Sequence, residues 1–278
     1  MKLKNVSRRF NDDPIYDAYS GRFLFRAHTK AHDDQSSSGA TVRRRTMRTV
    51  PQTAPPARRV VRIDGEAWLV GNSNLDNFSG SPIRRSYGLK KATGLMNRLT
   101  PAQACLGQEG VLFYSHQEFY RDSPNNLTES ELDVMWNIFC PSAEPMAKGQ
   151  FLRRGSTLYR IRSVYPTVDE YLIAETDELD ADALQTAVFT QSAVLDVATD
   201  TMQTISVTTG VVQFDTAKFY RFRDKAENDR QPGDRAVFVP QSALTLAPGA
   251  RFTMLGASWR AVSVQPEGDA WAVQARLG

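Results

Sequence analysis

The chain of 278 residues is poor in the side chains from which catalytic and metal chemistry is usually built. It holds two cysteines, Cys105 and Cys140, and three histidines, His28, His32 and His116. Two cysteines in no C-x-x-C spacing cannot staple a chain of this size, which argues against a disulfide scaffold and for a reducing compartment. Both are read as small buried apolar residues. No window approaches the roughly eighteen consecutive apolar residues of a spanning helix. The opening residues Met1-Lys-Leu-Lys-Asn-Val-Ser-Arg-Arg9 lack the apolar run of a secretory signal. Neither a membrane segment nor a signal peptide is expected. A phosphate-cradling glycine loop, an H-E-x-x-H pair and a G-x-S-x-G elbow are also missing. His28 and His32 lie four apart beside Asp33 and Asp34, but no third or fourth ligand is evident, so a solvated polar loop is the expected reading. The expectation is no enzyme, no cofactor and no resident metal.

What is present is charge in blocks. The formal net charge of +3 hides a segment from Thr41 to Arg62 with seven arginines and no acid, and a segment from Asp169 to Asp182 with seven acids and no base. The arginines Arg43, Arg44, Arg45, Arg48, Arg58, Arg59 and Arg62 form a candidate interface. Arg43, Arg44, Arg45 and Arg48 are suited to tracking phosphates by counterion release. The β-branched residues Thr41, Val42, Thr46 and Thr49 favour a strand or extended arm with a basic outer face. A third reading docks this basic segment on Asp169, Glu170, Glu175, Asp177 and Glu178 of a neighbouring copy, since complementary patches set the register of subunits. Alone, the acidic stretch reads as a solvated linker.

The second feature is an internal repeat at an offset of one hundred residues. Gly149 matches Gly249, Arg160 matches Arg260, Ser163 matches Ser263, Val164 matches Val264, Pro166 matches Pro266 and Asp169 matches Asp269. Tyr159/Trp259, Tyr171/Trp271 and Ile173/Val273 keep their character. Turn glycines, strand aromatics and a strand-ending proline are what a duplicated β-module retains. From Phe151 the pattern reads strand, turn at Gly155, strand to Val164, break at Pro166, strand from Glu170 to Glu175. Arg251 to Ala275 repeats it. The recurring aromatics Tyr159, Tyr171, Trp259 and Trp271 are read as core. Apolar stretches at 136–140 and 236–239 precede the two meanders. Four short strands are expected between 187 and 214, separated by Asp, Thr and Gly turn signals.

The fold expected is therefore mainly β, with tandem small antiparallel barrels or sandwiches and few short helices. Residues 76–182 form a first module and residues 183–278 a second. Residues 1–75 form a basic N-terminal region with long loops at His32–Ala40 and Pro51–Pro56. Strands at 21–26, 59–63 and 66–70, with a hairpin at Asp64-Gly65, leave room for a degenerate third copy there. Short helical turns are expected after Thr128-Glu-Ser-Glu131 and across Pro101–Leu106. Exposed strand edges are expected to pair with neighbours.

The second copy, from Ala236-Val-Phe-Val-Pro240 through Leu246-Ala-Pro-Gly-Ala-Arg-Phe252 and Gly256-Ala-Ser-Trp-Arg-Ala-Val-Ser-Val264 to Ala270-Trp-Ala-Val-Gln-Ala275, resembles the C-terminal part of tailed-phage head-closure proteins, the stopper-type head–tail connectors. The resemblance covers 187–278 directly and 135–180 through the internal repeat. It implies a virion neck component, a homo-oligomeric ring between portal and tail. Its partners would be itself, a portal or adaptor protein and tail proteins, with basic loops near packaged DNA and no membrane contact. A tail, collar or capsid-decorating role suits the same module, and a nucleic-acid-binding β-barrel is the alternative.

Overall fold

A computed structural model describes residues 12–35, 41–78, 81–121, 134–167, 171–196, 201–215, 231 and 233–278. Within them the chain forms three closed six-stranded antiparallel barrels in succession. The first comprises β1 (Asp13–Asp17), β2 (Phe23–Gln35), β3 (Thr41–Thr49), β4 (Val60–Ile63), β5 (Glu66–Phe78) and β6 (Ser81–Lys91). The second comprises β7 (Gly94–Leu99), β8 (Val111–Arg121), β9 (Val134–Pro141), β10 (Phe151–Arg154), β11 (Thr157–Pro166) and β12 (Tyr171–Glu178). The third comprises β13 (Leu184–Asp196), β14 (Thr201–Asp215), β15 (Arg235–Pro240), β16 (Arg251–Met254), β17 (Ala257–Glu267) and β18 (Ala270–Leu277). In each, the strands run around the barrel in the order first, second, third, sixth, fifth, fourth, and the fourth closes onto the first.

The local reasons repeat as well. The fourth and fifth strands are joined by two-residue turns at Asp64-Gly65, Gly155-Ser156 and Leu255-Gly256. Their backbone is left-handed at Asp64 (φ 52°), Gly65 (81°), Gly155 (59°), Leu255 (52°) and Gly256 (72°), the geometry that matches strand twist in a tight hairpin. Three residues past each turn stands a buried aromatic, Trp68, Tyr159 or Trp259. The fifth and sixth strands then slip register after Val70, Ile161 and Ala261, a bulge at one position that bends the sheet toward closure.

The N-terminal region is thus a full copy of the module. The boundary placed after residue 75 falls inside β5, because Ser73 to Phe78 pair with β6 and that hairpin completes the first barrel; the chain passes to the second barrel between Lys91 and Gly94. Of the loop expected at 32–40, residues His32 to Gln35 continue β2 opposite Arg44 to Thr41. Pro51–Pro56 lies between strands, as expected. In the third barrel the expected four strands before the meander are two long ones, β13 and β14, followed by β15. Gly210, taken for a turn, sits inside β14, where a Cβ would lie 2.2 Å from the Cys105 carbonyl oxygen; glycine is there for close backbone approach. Ser163 pairs with Glu175 and Ser263 with Gln274, so Trp271 is equivalent to Leu172 rather than Tyr171, and Val273 to Ala174. The hairpin between these strands is one residue shorter in the third barrel.

Closure also removes the strand edges expected on the barrel bodies; β18, the last strand, pairs with both β15 and β17. Edges remain where hairpins outrun the barrel wall, as in β2–β3 past His28 and β13–β14 past Thr190. The helix expected near Pro101 is α1 (Pro101–Cys105). Its cap, Thr100, accepts from the Gln103 amide at 3.2 Å, and the Gln103 side chain accepts from the Thr100 amide at 2.9 Å. The Thr128–Glu131 box lies outside the described residues.

Candidate functional site

The seven candidate arginines separate into distinct environments. Arg44 and Arg48 point outward from β3, on the opposite side from the buried Met47. Arg45 points to the inner side, pairs with Asp64 at 2.8 Å and lies over the Trp68 ring at 5.3 Å. Arg43 pairs through its backbone with Asp33. Arg58 clamps two barrels, with Nε 2.7 Å from Glu144 Oε1, Nη2 donating to the Leu112 carbonyl at 2.6 Å, and the guanidinium 3.7 Å from the centre of the Tyr19 ring. Arg62 donates to the Ala18 carbonyl at 3.2 Å. Arg59 occupies a left-handed backbone position, φ 49°. The run in sequence is therefore not one patch in space.

The described acids among these candidates are paired within the second barrel. Asp177 pairs with Arg162 at 3.2 Å and is buried, Glu178 accepts from Trp136 Nε1 at 2.7 Å, and Glu175 accepts from Ser163 Oγ and from the Tyr165 hydroxyl. Asp169 and Glu170 lie outside the described residues. His28 lies on β2 opposite Arg48, and His32 further along the same strand opposite Arg44. Among the described residues no group of three His, Cys, Asp or Glu side chains is placed to hold a metal. Burial pushes the Cys105 and Cys140 thiols up to about 12, so both are held as neutral thiols. Cys105 donates from Sγ to the Phe238 carbonyl at 3.2 Å. His116 places its ring nitrogens 2.6 Å from the Lys91 carbonyl oxygen and 3.0 Å from Glu118. Burial raises the Glu118 carboxyl, but hydrogen bonds from His116 and Lys90 outweigh it and bring the group down to about 2.

What the sequence does not announce is how the barrels join. Val60 and Leu69, on the outer faces of β4 and β5, are fully buried against Tyr171 of the second barrel. The Tyr171 hydroxyl donates to the carbonyls of Leu69 and Gly88, each at 3.3 Å. Lys90 Nζ sits 3.4 Å from the centre of the Phe139 ring. At the second junction Phe151 meets Phe238 edge-on, with centroids 5.4 Å apart. Arg160 lies over the same Phe238 ring at 5.3 Å and pairs with Glu267 at 2.9 Å.

Register shows that the two junctions use one pair of faces. Val60 faces Leu69 across the fourth and fifth strands as Phe151 faces Arg160. On the receiving side, the bulge pairs Val70–Leu89, Ile161–Thr176 and Ala261–Ala275 give a common origin. Leu89, Thr176 and Ala275 pair with Arg45, Trp136 and Arg235 on the third strands. Three residues further along stand Arg48, Phe139 and Phe238. The first and second barrels thus each lay their fourth and fifth strands on the second, third and sixth strands of the next, with a cation, Lys90 of β6 or Arg160 of β11, over an equivalent phenylalanine. Among the described residues two faces stay uncovered: the receiving face of the first barrel, and the outer face of β16 and β17, where Arg251 and Arg260 are exposed. No family model, curated protein or solved structure matches this chain.

Proposed function

We propose that this chain is a structural subunit of a tailed-phage particle, a head–tail connector that assembles as a ring between portal and tail. The observation that carries the reading is the tandem series of closed barrels, joined head to tail through one repeated contact. Such a series makes a stiff building block, and function is then carried by its outer faces and projecting hairpins rather than by a cleft. Glu175, Asp177, Glu178, both cysteines and His116 are engaged in packing and pairing, which suits an assembly part. Hairpins that outrun the barrel wall, β2–β3 and β13–β14, offer free strand edges to a neighbour. The resemblance of 236–275 to stopper-type proteins supplies the station. In this reading the partners are further copies of the chain, a portal or adaptor above and tail proteins below, and the protein resides in the virion. The test is a phage genome carrying an early stop codon in this reading frame. Filled heads and separate tails that fail to join are expected; infectious particles of normal yield would overturn the reading.

A further inference from the structure

We infer that the uncovered receiving face of the first barrel binds the phosphate backbone of nucleic acid. In the second and third barrels this face is apolar at its centre, because a barrel docks there through Phe139 or Phe238. In the first barrel none of the described barrels docks there, and the equivalent centre is Arg48. His28 stands directly opposite Arg48 on the second strand, and the diagonal neighbour, Phe214 in the third barrel and Glu118 in the second, is Lys30, given by the pairs Lys30–Thr46, Glu118–Asn137 and Phe214–Ala236. Arg26 on β2, Arg44 on β3 and Arg84 on β6 share the same side. Arg26, Lys30, Arg44 and Arg84 are exposed, and Arg48 carries a buried Nε with no hydrogen-bond acceptor. Asp76 lies beside them, paired with Arg84 and also held below the usual carboxylate range in part by Arg48.

Chemistry chooses the occupant. A face that received another protein would keep an aromatic or aliphatic centre, as the two internal junctions do. Here that centre has been exchanged for cations, and protein–nucleic acid contacts are the interfaces that are polar and strongly positive. Residues four apart on an extended strand lie about 13 Å apart on one face, and neighbouring strands lie about 4.8 Å apart. Arg26 and Lys30 on β2, with Arg44 and Arg48 on β3, therefore form a flat array of cations suited to a line of phosphates rather than to one compact anion. Contacts of this kind position the backbone and read no bases. Arg45, Arg58 and Arg62 take no part, since they are engaged within the first barrel or at its junction with the second.

The inference is independent of the connector reading and has its own test. Fluorescence anisotropy would follow the full-length chain binding a short mixed-sequence DNA duplex and the matching single strand. With about four phosphates neutralised, affinity should fall by about two orders of magnitude between about 50 and 200 mM salt. Lys30→Glu/Arg44→Glu/Arg48→Glu should lose binding at least a hundredfold. The milder Lys30→Gln/Arg44→Gln, at two exposed positions, should lower the salt slope by about two. Arg251→Glu/Arg260→Glu, on the third barrel, should bind as wild type. Absence of binding to either nucleic acid at low salt would overturn the inference. So would binding that survives the charge reversals, or polyglutamate binding as tightly as the duplex, which would mark the face as a dock for an acidic protein.

Discussion

The guanidinium of Arg160 in the second barrel pairs with Glu267 of the third at 2.9 Å while resting over Phe238 at 5.3 Å. Arg160 is nearly buried, so removing it strands a carboxylate in an apolar junction. Arg160→Ala is expected to cost about 3 kcal/mol, the low end for breaking a buried pair because Glu267 keeps some contact with water. The double substitution Arg160→Met/Glu267→Gln should recover most of that loss. Urea denaturation of the three proteins checks both statements, and equal stability of Arg160→Ala and the wild type would remove the junction from the account.

Gly210 tests the close approach of the second and third barrels. A methyl group there meets backbone, the Cys105 carbonyl, which cannot swing aside as a side chain would. Gly210→Ala should destabilise by about 2 kcal/mol or more, as overpacking does. Gly88→Ala, where the added carbon meets nothing within 4 Å, should be neutral within about 1 kcal/mol. Thermal melting of both variants separates steric conflict from the general effect of losing a glycine.

Glu118 makes the first junction sensitive to acid. Its carboxyl stands near 2 in the folded chain against an ordinary value of 4.5, so the stability it contributes is complete above pH 4.5 and is lost as pH falls toward 2. Wild type should exceed Glu118→Gln in stability at pH 7, with the gap shrinking steadily through that window. Denaturant midpoints measured from pH 7 to pH 3 decide it; a gap that stays constant would mean that the carboxylate is not held by His116 and Lys90.

The two thiols offer a direct probe of packing. Because burial holds Cys105 and Cys140 protonated up to about 12, both should resist alkylation at pH 8 in the native chain and react fully in denaturant. Intact-mass spectrometry reads the outcome. Rapid labelling of Cys105 in the native chain would show that α1 does not stay seated on β14 and β15.

Much of the fold was legible because its signals are local. The turns at Asp64-Gly65, Gly155 and Gly256 and the aromatic three residues after each follow from hairpin geometry and strand period alone. The first barrel escaped because its equivalent strands carry different residues: Leu69 stands where the repeat has Arg160 and Arg260, and the long β5–β6 hairpin displaces the match. Gly210 misled because close approach and a turn leave the same mark in sequence. The basic run misled for a similar reason. Its arginines are neighbours in the chain, whereas Arg48 gains its neighbours Lys30 and Arg84 only through the pairing of β3 with β2 and β6. The junction faces left no signal, since a strand covered on both sides by tertiary contacts, such as β15, reads simply as an apolar run.

The most direct test of the assembly reading is the native mass of the full chain, taken by light scattering after size exclusion at low and high salt and without nucleic acid. The account predicts a discrete species at an integral multiple of 31.1 kDa that persists in both buffers, with ring-shaped particles in electron micrographs. A single species of 31.1 kDa at every concentration and salt would contradict it.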